Sequence, residues 1–375
     1  MDNPFKIFFS GINVLSGEEN NSALGIDIGS SAIKVVELKK KKGKAVLETY
    51  GAIALGSYAD LEIGRITSLP VEKIIEAVKE VLKQSGVVTK SSALAIPAQS
   101  SLIFTIELPS QISEGEIAPV VATEARKYIP VPITEISLDW FILPKKELSF
   151  KDANNPDLPP VPADTMKVLV IATQNDTISR YRSIVSECEL DASFFEIEIF
   201  SSIRSNFEHE LSLVLLMDFG ASRTKLSLVE FGTVESYHTI NRGGADITES
   251  ISQSLSITFP EAEKMKKDFG LFGDPAEKNL ADIIKVHADY IFSEANNVLL
   301  GYEKKYNRTI SKVILTGGGS LLKGLKEVAA NNFQVEVQVG NPFSKVEAPV
   351  FLEKVLEATG PEFAVALGLA LRKLQ

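Results

Sequence analysis

Cysteine and histidine are nearly absent from this chain of 375 residues. There is one cysteine, Cys188, and there are three histidines, His209, His238 and His287, which are scattered singly. A single cysteine excludes a disulfide framework and is typical of a reducing cytoplasm. Because isolated histidines without an HExxH-type spacing do not predict a metal site, we expect each to be a packed or solvent-facing residue.

Long apolar runs are also absent. Leu213–Met217, one of the longest, is far shorter than the ~20 residues of a membrane-spanning helix and predicts a buried strand. The first residues carry one lysine and no small-residue cleavage site, so they do not resemble a secretion signal. Residues 1–22 are predicted to be an arm outside the core. Its apolar residues, Phe5, Ile7, Phe8 and Phe9, either touch a membrane surface or belong to a disordered or self-packing arm.

Clustered positive charge is scarce as well. The net charge of −10 argues against a nucleic-acid-binding protein, because phosphate contacts need clustered cations. The one basic run, Lys39–Lys44, contains Gly43. This glycine predicts a hairpin turn between two strands, with a phosphate or lipid patch as the alternative.

Apolar periodicity predicts alternating strands and helices, which is typical of an α/β protein with mixed sheets. An amphipathic helix is predicted between Pro70 and Gly86, and a capping box, Ser113…Glu116, begins another. A loop rich in proline, asparagine and aspartate covers Lys151–Asp164. The predicted strands are Leu24–Ile28, Ala32–Leu38, Ala45–Tyr50, Ala93–Ile96, Leu102–Leu108, Ile136–Leu143, Val168–Ala172, Phe194–Ile199, Leu213–Asp218, Lys225–Glu230 and Lys312–Thr316. Further helices are predicted at Asp176–Cys188, within about 245–307, and at Leu321–Asn331.

One segment occurs twice. The residues Asp27, Gly29, Ser31 and Lys34 recur, at identical offsets, as Asp218, Gly220, Ser222 and Lys225, and both copies lie between two apolar strands. Such a repeat predicts two similar lobes that face each other.

The residue types in the repeat suit a polyphosphate. An aspartate at a strand end can hold a hydrated Mg²⁺, and the amides and hydroxyls that follow can contact phosphate oxygens. We expect Gly29 and Gly220 to take a positive φ and to let the backbone approach a ligand. Two copies could hold one polyphosphate from opposite sides.

A third segment is glycine-rich. The strand Val313–Thr316 runs into Gly317, Gly318 and Gly319, which are predicted to begin a helix. Bare backbone at a helix N-terminus can accommodate a flat base and its sugar, with a tight strand–helix turn as the alternative. The segment matches neither the Walker A nor the Rossmann pattern.

These three segments, in this order, resemble the phosphate-1, phosphate-2 and adenosine motifs of the actin/Hsp70/sugar-kinase superfamily. Within it, the chain from Leu24 to Leu374 most resembles the PilM family of type IV pilus assembly proteins, which is related to the division protein FtsA. The remaining matching segments are Phe195–Phe200, Asn241–Gly244, Ala262–Lys266 and Ala364–Ala370.

The resemblance implies a two-lobed actin-like ATPase fold of duplicated RNase H-like domains, with an FtsA-type α/β insert in the first lobe. The expected boundaries are an arm at 1–22, a lobe I core at 23–90 and 191–210, the insert (1C-like) at 91–190, a lobe II core at 211–245 and 312–375, and a helical subdomain IIB at 246–311.

The resemblance also implies a site for Mg²⁺ and ATP. Asp27 and Asp218 would order Mg²⁺ through water. The residues implied at the β- and γ-phosphates are Gly29, Ser30, Ser31 and Lys34 on one side and Gly220, Ala221, Ser222 and Thr224 on the other. Those implied around the nucleoside are Gly243 and Gly244 (sugar and α-phosphate), Glu263 and Lys266 (ribose and base), and Gly317, Gly318, Gly319 and Ser320 (adenosine). The alternatives are a solvated strand residue for Lys34 and a solvated helix face for Glu263 and Lys266.

The implied function is an ATP-binding cytoplasmic component of the pilus inner-membrane platform. A groove beside the insert would take the short cytoplasmic N-terminal tail of a PilN-like single-pass membrane protein in a nucleotide-dependent way. Other platform proteins are further possible partners, and the chain would reach the inner face of the membrane only through its partner. Apolar insert residues such as Leu102, Phe104 and Ile106 either line that groove or belong to the core.

Hydrolysis needs a group that orients or deprotonates water. Glu198, on the predicted connecting strand, is the one candidate, with a structural salt bridge as its alternative. We therefore expect slow ATP turnover at most.

Two other functions fit the same superfamily. An FtsA-like filament protein would end in a linker and an amphipathic membrane helix, whereas this sequence ends at Arg372–Gln375, directly after the last predicted helix. A small-molecule kinase would need a catalytic aspartate in a substrate cleft, and the sequence offers no clear candidate.

Overall fold

The computed structural model describes residues 21–143, 165–208, 210–277 and 279–375, without the side chain of Glu114. Most of the predicted arm, the loop Lys151–Asp164 and His209 lie outside these residues. The described residues form two compact units: a main unit of residues 21–95 and 184–375, and an insert unit, Ile96–Ser183. The finer domain boundaries stay a prediction.

The first sheet of the main unit has the strand order β3-β2-β1-β4-β8. Its first three strands are antiparallel neighbours, and β4 runs parallel to β1. Lys42 and Gly43 both have positive φ, 53° and 80°, and join β2 to β3 as a two-residue turn, which confirms the predicted hairpin. The elements are β1 Ser22–Ile28, β2 Ala32–Lys41, β3 Lys44–Ala54, α1 Val71–Gln84, β4 Ser91–Ile96 and β8 Asp191–Ile197.

The second sheet has the order β11-β10-β9-β12-β13 and repeats this plan, with antiparallel β9, β10 and β11 and parallel β12. Its apolar strand residues pack with its helices in one core. The elements are β9 Val214–Phe219, β10 Thr224–Glu230, β11 Thr233–Ile240, α5 Gly244–Leu255, α6 Phe259–Phe269, α7 Leu280–Tyr306, β12 Lys312–Thr316, α8 Leu325–Phe333 and β13 Glu336–Val339. We call the first sheet with its helices lobe I and the second lobe II.

The last helix covers the first sheet. Helix α10, Ala364–Leu374, packs on β1 and β2 and on α4, Glu198–Asn206, after the short α9, Glu353–Thr359. A Cβ on Gly25 would lie 1.9 Å from the carbonyl oxygen of Ala366, and one on Gly368 would lie 1.9 Å from that of Ser201. Both glycines therefore permit a helix approach that a side chain would block.

Two wrong predicted boundaries bear on the site and on the glycine-rich segment. Strand β8 ends at Ile197, so Glu198 is the first residue of α4 and not part of a strand. The helix predicted at Leu321–Asn331 begins only at Leu325, because Gly324 takes a left-handed φ of 82° after the short 3₁₀ helix Gly318–Leu321.

The insert unit has a three-stranded antiparallel sheet in the order β5-β7-β6. The predicted capping box is confirmed, since the backbone amide of Ser113 donates to the Glu116 carboxylate at 3.4 Å. The Ser113 hydroxyl also donates to this carboxylate, at 2.6 Å. Ile106 lies in the core, Phe104 stacks on Tyr128 at 4.8 Å between ring centroids, and the Leu102 residue is 40% exposed. The elements are β5 Ser101–Pro109, α2 Glu114–Ala125, β6 Ile136–Ile142, β7 Thr165–Gln174 and α3 Asn175–Glu187.

Candidate functional site

The two repeated segments form matching hairpin turns. The amide of Gly29 donates to the carbonyl of Ala32 at 3.0 Å, and the amide of Gly220 donates to the carbonyl of Arg223 at the same distance. Neither glycine has a positive φ, so that part of the prediction is wrong. Glycine is favoured at both positions because a Cβ would lie 2.9 Å from the same carbonyl oxygen in each turn.

Each turn places an aspartate opposite a lysine. Asp27 is the cross-strand partner of Lys34 in the register of β1 and β2, and Asp218 is the partner of Lys225 in that of β9 and β10. The repeated offsets in the sequence therefore become a repeated pair of opposite charges.

The two turns face each other, as the repeat predicted. The hydroxyl of Ser30 donates to the hydroxyl of Ser222 at 3.1 Å, which joins lobe I to lobe II. A second bridge is made by Lys225, whose Nζ lies 2.6 Å from Oε2 of Glu198 and 3.2 Å from Oδ2 of Asp218.

The electrostatics of this cluster favour a bound cation. Burial raises the pKa of Asp27 to about 6, with Lys34 and Lys225 opposing this and the carboxylates of Glu198 and Asp218 adding to it. Burial lowers the pKa of Lys225, but the Asp218 and Glu198 carboxylates outweigh it, and the net pKa is raised. The carboxylates thus stabilise positive charge placed between them.

The start of α5 lies against the second turn. The amide of Gly244 donates to the carbonyl of Gly220 at 2.9 Å, and a Cβ on Gly243 would lie 2.4 Å from the carbonyl oxygen of Ala221. Thr224 is completely buried, and its hydroxyl donates to the carbonyl of Arg242 at 2.9 Å. Thr224 therefore has a structural role, and its contact with phosphate stays a prediction.

Glu263 and Lys266 are not a solvated helix face. Their side chains are only 16% and 12% exposed and form an ion pair at 2.6 Å. The Lys266 Nζ also donates to the carbonyl of Gly244 at 2.9 Å and to the hydroxyl of Thr248 at 2.7 Å. The structure thus connects both predicted residues to the start of α5.

The glycine-rich segment packs on the strand that carries Asp218. Gly317 has a φ of 79°, and a Cβ on it would lie 2.3 Å from Oδ1 of Asp218. A Cβ on Gly319 would lie 2.1 Å from the ring of Phe219, so the segment is a tight turn after β12. The buried hydroxyl of Ser320 donates to the carbonyl of Gly317 at 2.7 Å, which leaves its contact with adenosine a prediction.

Two residues of this region were missed from the sequence. Lys225 is the fourth position of the repeat, and its match to Lys34 was a usable signal. Arg65 had no such signal, because it lies in an irregular segment. Its guanidinium lies 2.5 Å from Oε2 of Glu249 and 4.1 Å from the centre of the Phe259 ring, so it connects lobe I to α5 and α6.

The arrangement fits Mg²⁺ and a nucleoside triphosphate. Asp27 and Asp218 offer oxygen donors of the kind that Mg²⁺ prefers, and Lys34, Lys225 and Lys266 offer cations to phosphate. Among the described residues, no group of three or more histidine, cysteine, aspartate or glutamate side chains could hold a metal directly. Nor does any described helix have the length and apolarity to span a membrane.

Comparison with known proteins gives the family and the fold. The model of the family "Type IV pilus assembly protein PilM" matches residues 25–374. The cell division protein FtsA of Staphylococcus epidermidis is 26% identical over 360 residues, 86% of this chain and 75% of the relative. FtsA of Enterococcus faecalis is 21% identical over 356 residues, 85% of this chain and 78% of the relative.

Two solved structures share the architecture. A PilM–PilN type IV pilus biogenesis complex matches with a TM-score of 0.76 at 24% identity, covering 94% of this chain and 98% of the other. The ethanolamine utilization protein EutJ from Carboxydothermus hydrogenoformans matches with a TM-score of 0.52 at 17% identity, covering 93% and 89%. The expected two-lobed actin-like fold is confirmed.

Proposed function

Because the chain belongs to the family of the type IV pilus assembly protein PilM, we propose that it is an ATP-binding component of the inner-membrane platform of the type IV pilus. The observation that carries this proposal is the meeting of the two matched turns, at 3.1 Å between the Ser30 and Ser222 hydroxyls, beside a cluster of buried charges. Two facing turns of this kind can contact one triphosphate from both sides.

The proposed nucleotide contacts are assigned according to the elements that lie beside the two facing turns. The first turn, with Ser30, Ser31 and Lys34, and the second turn, with Ser222, would contact the β- and γ-phosphates. The start of α5, with Glu263 and Lys266 beside it, would contact the sugar and base, and the turn after β12 the adenosine. Mg²⁺, held through water by Asp27 and Asp218, would neutralise phosphate charge.

The proposed partner is the short cytoplasmic N-terminal tail of a PilN-like membrane protein, with other platform proteins as further candidates. Support comes from the PilM–PilN complex, in which a protein of this fold is associated with PilN. We propose that the insert carries the partner-binding surface, and that the chain is cytoplasmic and held at the inner face of the membrane only through that partner.

Nucleotide dependence of partner binding is proposed as a population shift. ATP between the lobes favours one arrangement of lobe I and lobe II, and the partner binds that arrangement more tightly. The Ser30–Ser222 contact and the ion pairs Arg65–Glu249 and Lys225–Glu198 are among the described contacts that a rearrangement of the lobes would break.

Slow hydrolysis is proposed because the candidate catalytic group is already engaged. Glu198 accepts a hydrogen bond from the Lys225 ammonium at 2.6 Å, and its side chain is only 11% exposed. A carboxylate held in this way is a poor base for an attacking water. ATP would then act mainly as a ligand that selects a conformation.

Calorimetry tests the two-site proposal. A peptide with the N-terminal sequence of the PilN-like protein is titrated into the chain with and without Mg-ATP, and the affinity should rise with the nucleotide. Leu102→Asp combined with Tyr128→Asp changes two exposed apolar residues of the insert, 40% and 52% exposed, and should weaken peptide binding while ATP affinity is retained. Unchanged binding of the peptide by this double variant, or loss of both ligands, would contradict the proposal.

A filament-forming function like that of FtsA is the second candidate, favoured by the 26% identity to FtsA over most of the chain. Sedimentation with Mg-ATP separates the two candidates. The pilus proposal predicts that the chain stays in the supernatant at concentrations where it binds the peptide, whereas ATP-dependent pelleting would favour a filament.

A further inference from the structure

Lys225 occupies a central place among the charges of the site. Its side chain is 21% exposed, and its Nζ lies within 3.2 Å of the carboxylates of both Glu198 and Asp218. One carboxylate belongs to lobe I and the other to lobe II, so a single ammonium group joins the lobes at the place where the turns meet.

The charge balance of the cluster depends on this residue. Three carboxylates, Asp27, Glu198 and Asp218, interact there with two lysines, Lys34 and Lys225. The formal sum is −3 + 2 = −1, and removal of Lys225 would make it −2. A polyanion entering a poorly solvated site is repelled by each unpaired carboxylate, and a divalent cation is attracted by it.

We propose that Lys225 is a nucleotide-binding residue that acts as a built-in cation of the site, neutralising Asp218 and Glu198 so that ATP binds with a reduced requirement for Mg²⁺. This inference rests on the proposed binding of ATP between the lobes. Lys34, opposite Asp27, is its counterpart at the same offset on the other turn.

The test compares ATP affinity in excess Mg²⁺ and in excess EDTA by calorimetry. For the wild-type chain the two dissociation constants should differ by no more than about tenfold. Two variants remove the charge: Lys225→Met, and Lys225→Gln, which keeps a hydrogen-bond donor. In EDTA, the ATP affinity of each variant should be tenfold to hundredfold lower than that of the wild-type chain in EDTA, roughly the effect of one charge-assisted hydrogen bond. Affinity in Mg²⁺ should fall less, because the metal replaces the lost charge.

Two controls separate charge from structure. Lys225→Arg keeps the charge, so its ratio of dissociation constants in EDTA and in Mg²⁺ should stay near that of the wild-type chain. Lys312→Met removes another partly buried lysine of lobe II, which pairs with Glu210 away from the turns, and should leave both affinities unchanged. Circular dichroism establishes that each variant is folded, and the glutamine variant carries the test if the methionine variant is not.

The outcomes are distinguishable. If the ratio of the dissociation constants in EDTA and in Mg²⁺ is the same for Lys225→Gln as for the wild-type chain, the role of Lys225 is overturned but ATP binding is not. A wild-type chain that binds ATP only with Mg²⁺ also overturns it. A wild-type chain that binds ATP in neither solution refutes the proposed function itself.

Discussion

Replacement of Asp27 by asparagine should stabilise the protein while it weakens the proposed Mg-ATP binding. Asparagine has nearly the shape of aspartate and no charge. Burial raises the pKa of the Asp27 carboxyl from 3.8 to about 6. The ionised carboxylate is therefore less favourable in the folded chain than in the unfolded chain, and its charge lowers the stability of the fold. A residue kept at a cost in stability is typical of a functional site.

The size and pH dependence of the effect follow from that pKa. The difference between 3.8 and about 6 corresponds to about 3 kcal/mol in the free energy of unfolding. The protonated carboxyl contributes this stability fully below the unfolded pKa of 3.8, and it is lost as the pH rises through the folded pKa near 6. The stability difference between Asp27→Asn and wild type should therefore grow between about pH 4 and pH 6 and stay constant above.

Urea unfolding of the nucleotide-free chain, in EDTA and over this pH range, measures the difference. Asp218→Asn is the matched control, because Asp218 is paired with the Lys225 ammonium at 3.2 Å and its neutralisation should not stabilise the fold. An Asp27→Asn chain that is no more stable than wild type at pH 8, or a difference that does not change with pH, would refute the reasoning.

Three other perturbations have expected outcomes. Asp27→Ala and Asp218→Ala should each weaken Mg-ATP binding by calorimetry with the circular dichroism spectrum retained, and wild-type affinity in either variant would contradict the site. Gly25→Ala should destabilise the main unit by about 3 kcal/mol or more in urea, because the new Cβ would lie 1.9 Å from the carbonyl of Ala366. Gly115→Ala, in α2 and with open space around the new Cβ, should not destabilise the fold. Arg65→Ala should cost about 1 kcal/mol, since its ion pair and aromatic contact are partly exposed, and stopped-flow fluorescence should show faster release of a fluorescent ATP analogue.

Local patterns in the sequence were enough for most elements. Alternating apolar residues located most of the strands, although β11 and β13 were not predicted. The Lys42–Gly43 turn and the Ser113 capping box were recognisable from short-range chemistry. One error concerned the reason for a glycine inside a single turn. Glycine at Gly29 is favoured by the nearby Ala32 carbonyl and not by a positive φ, and residue type alone does not distinguish these causes.

The candidate site was predictable as far as the repeat reached. Matching offsets placed Asp27 and Asp218 in equivalent turns because antiparallel register carries sequence spacing directly into cross-strand pairs. Contacts between the lobes outside the repeat were not predictable in this way. Arg65 meets Glu249 and Phe259 across almost two hundred positions, and no local pattern records such a contact.

The amino-acid sequence by itself determined the duplicated strand–turn–strand units, because hydrophobic periodicity and turn chemistry act over a few residues. Only the tertiary structure decided which charges share one buried place. Glu198 and Lys225 lie on different lobes, and their ion pair exists because the two sheets bring them together. The energies of buried charges depend on the distances between them and on how far each is removed from water. The spacing of residues along the sequence specifies neither quantity.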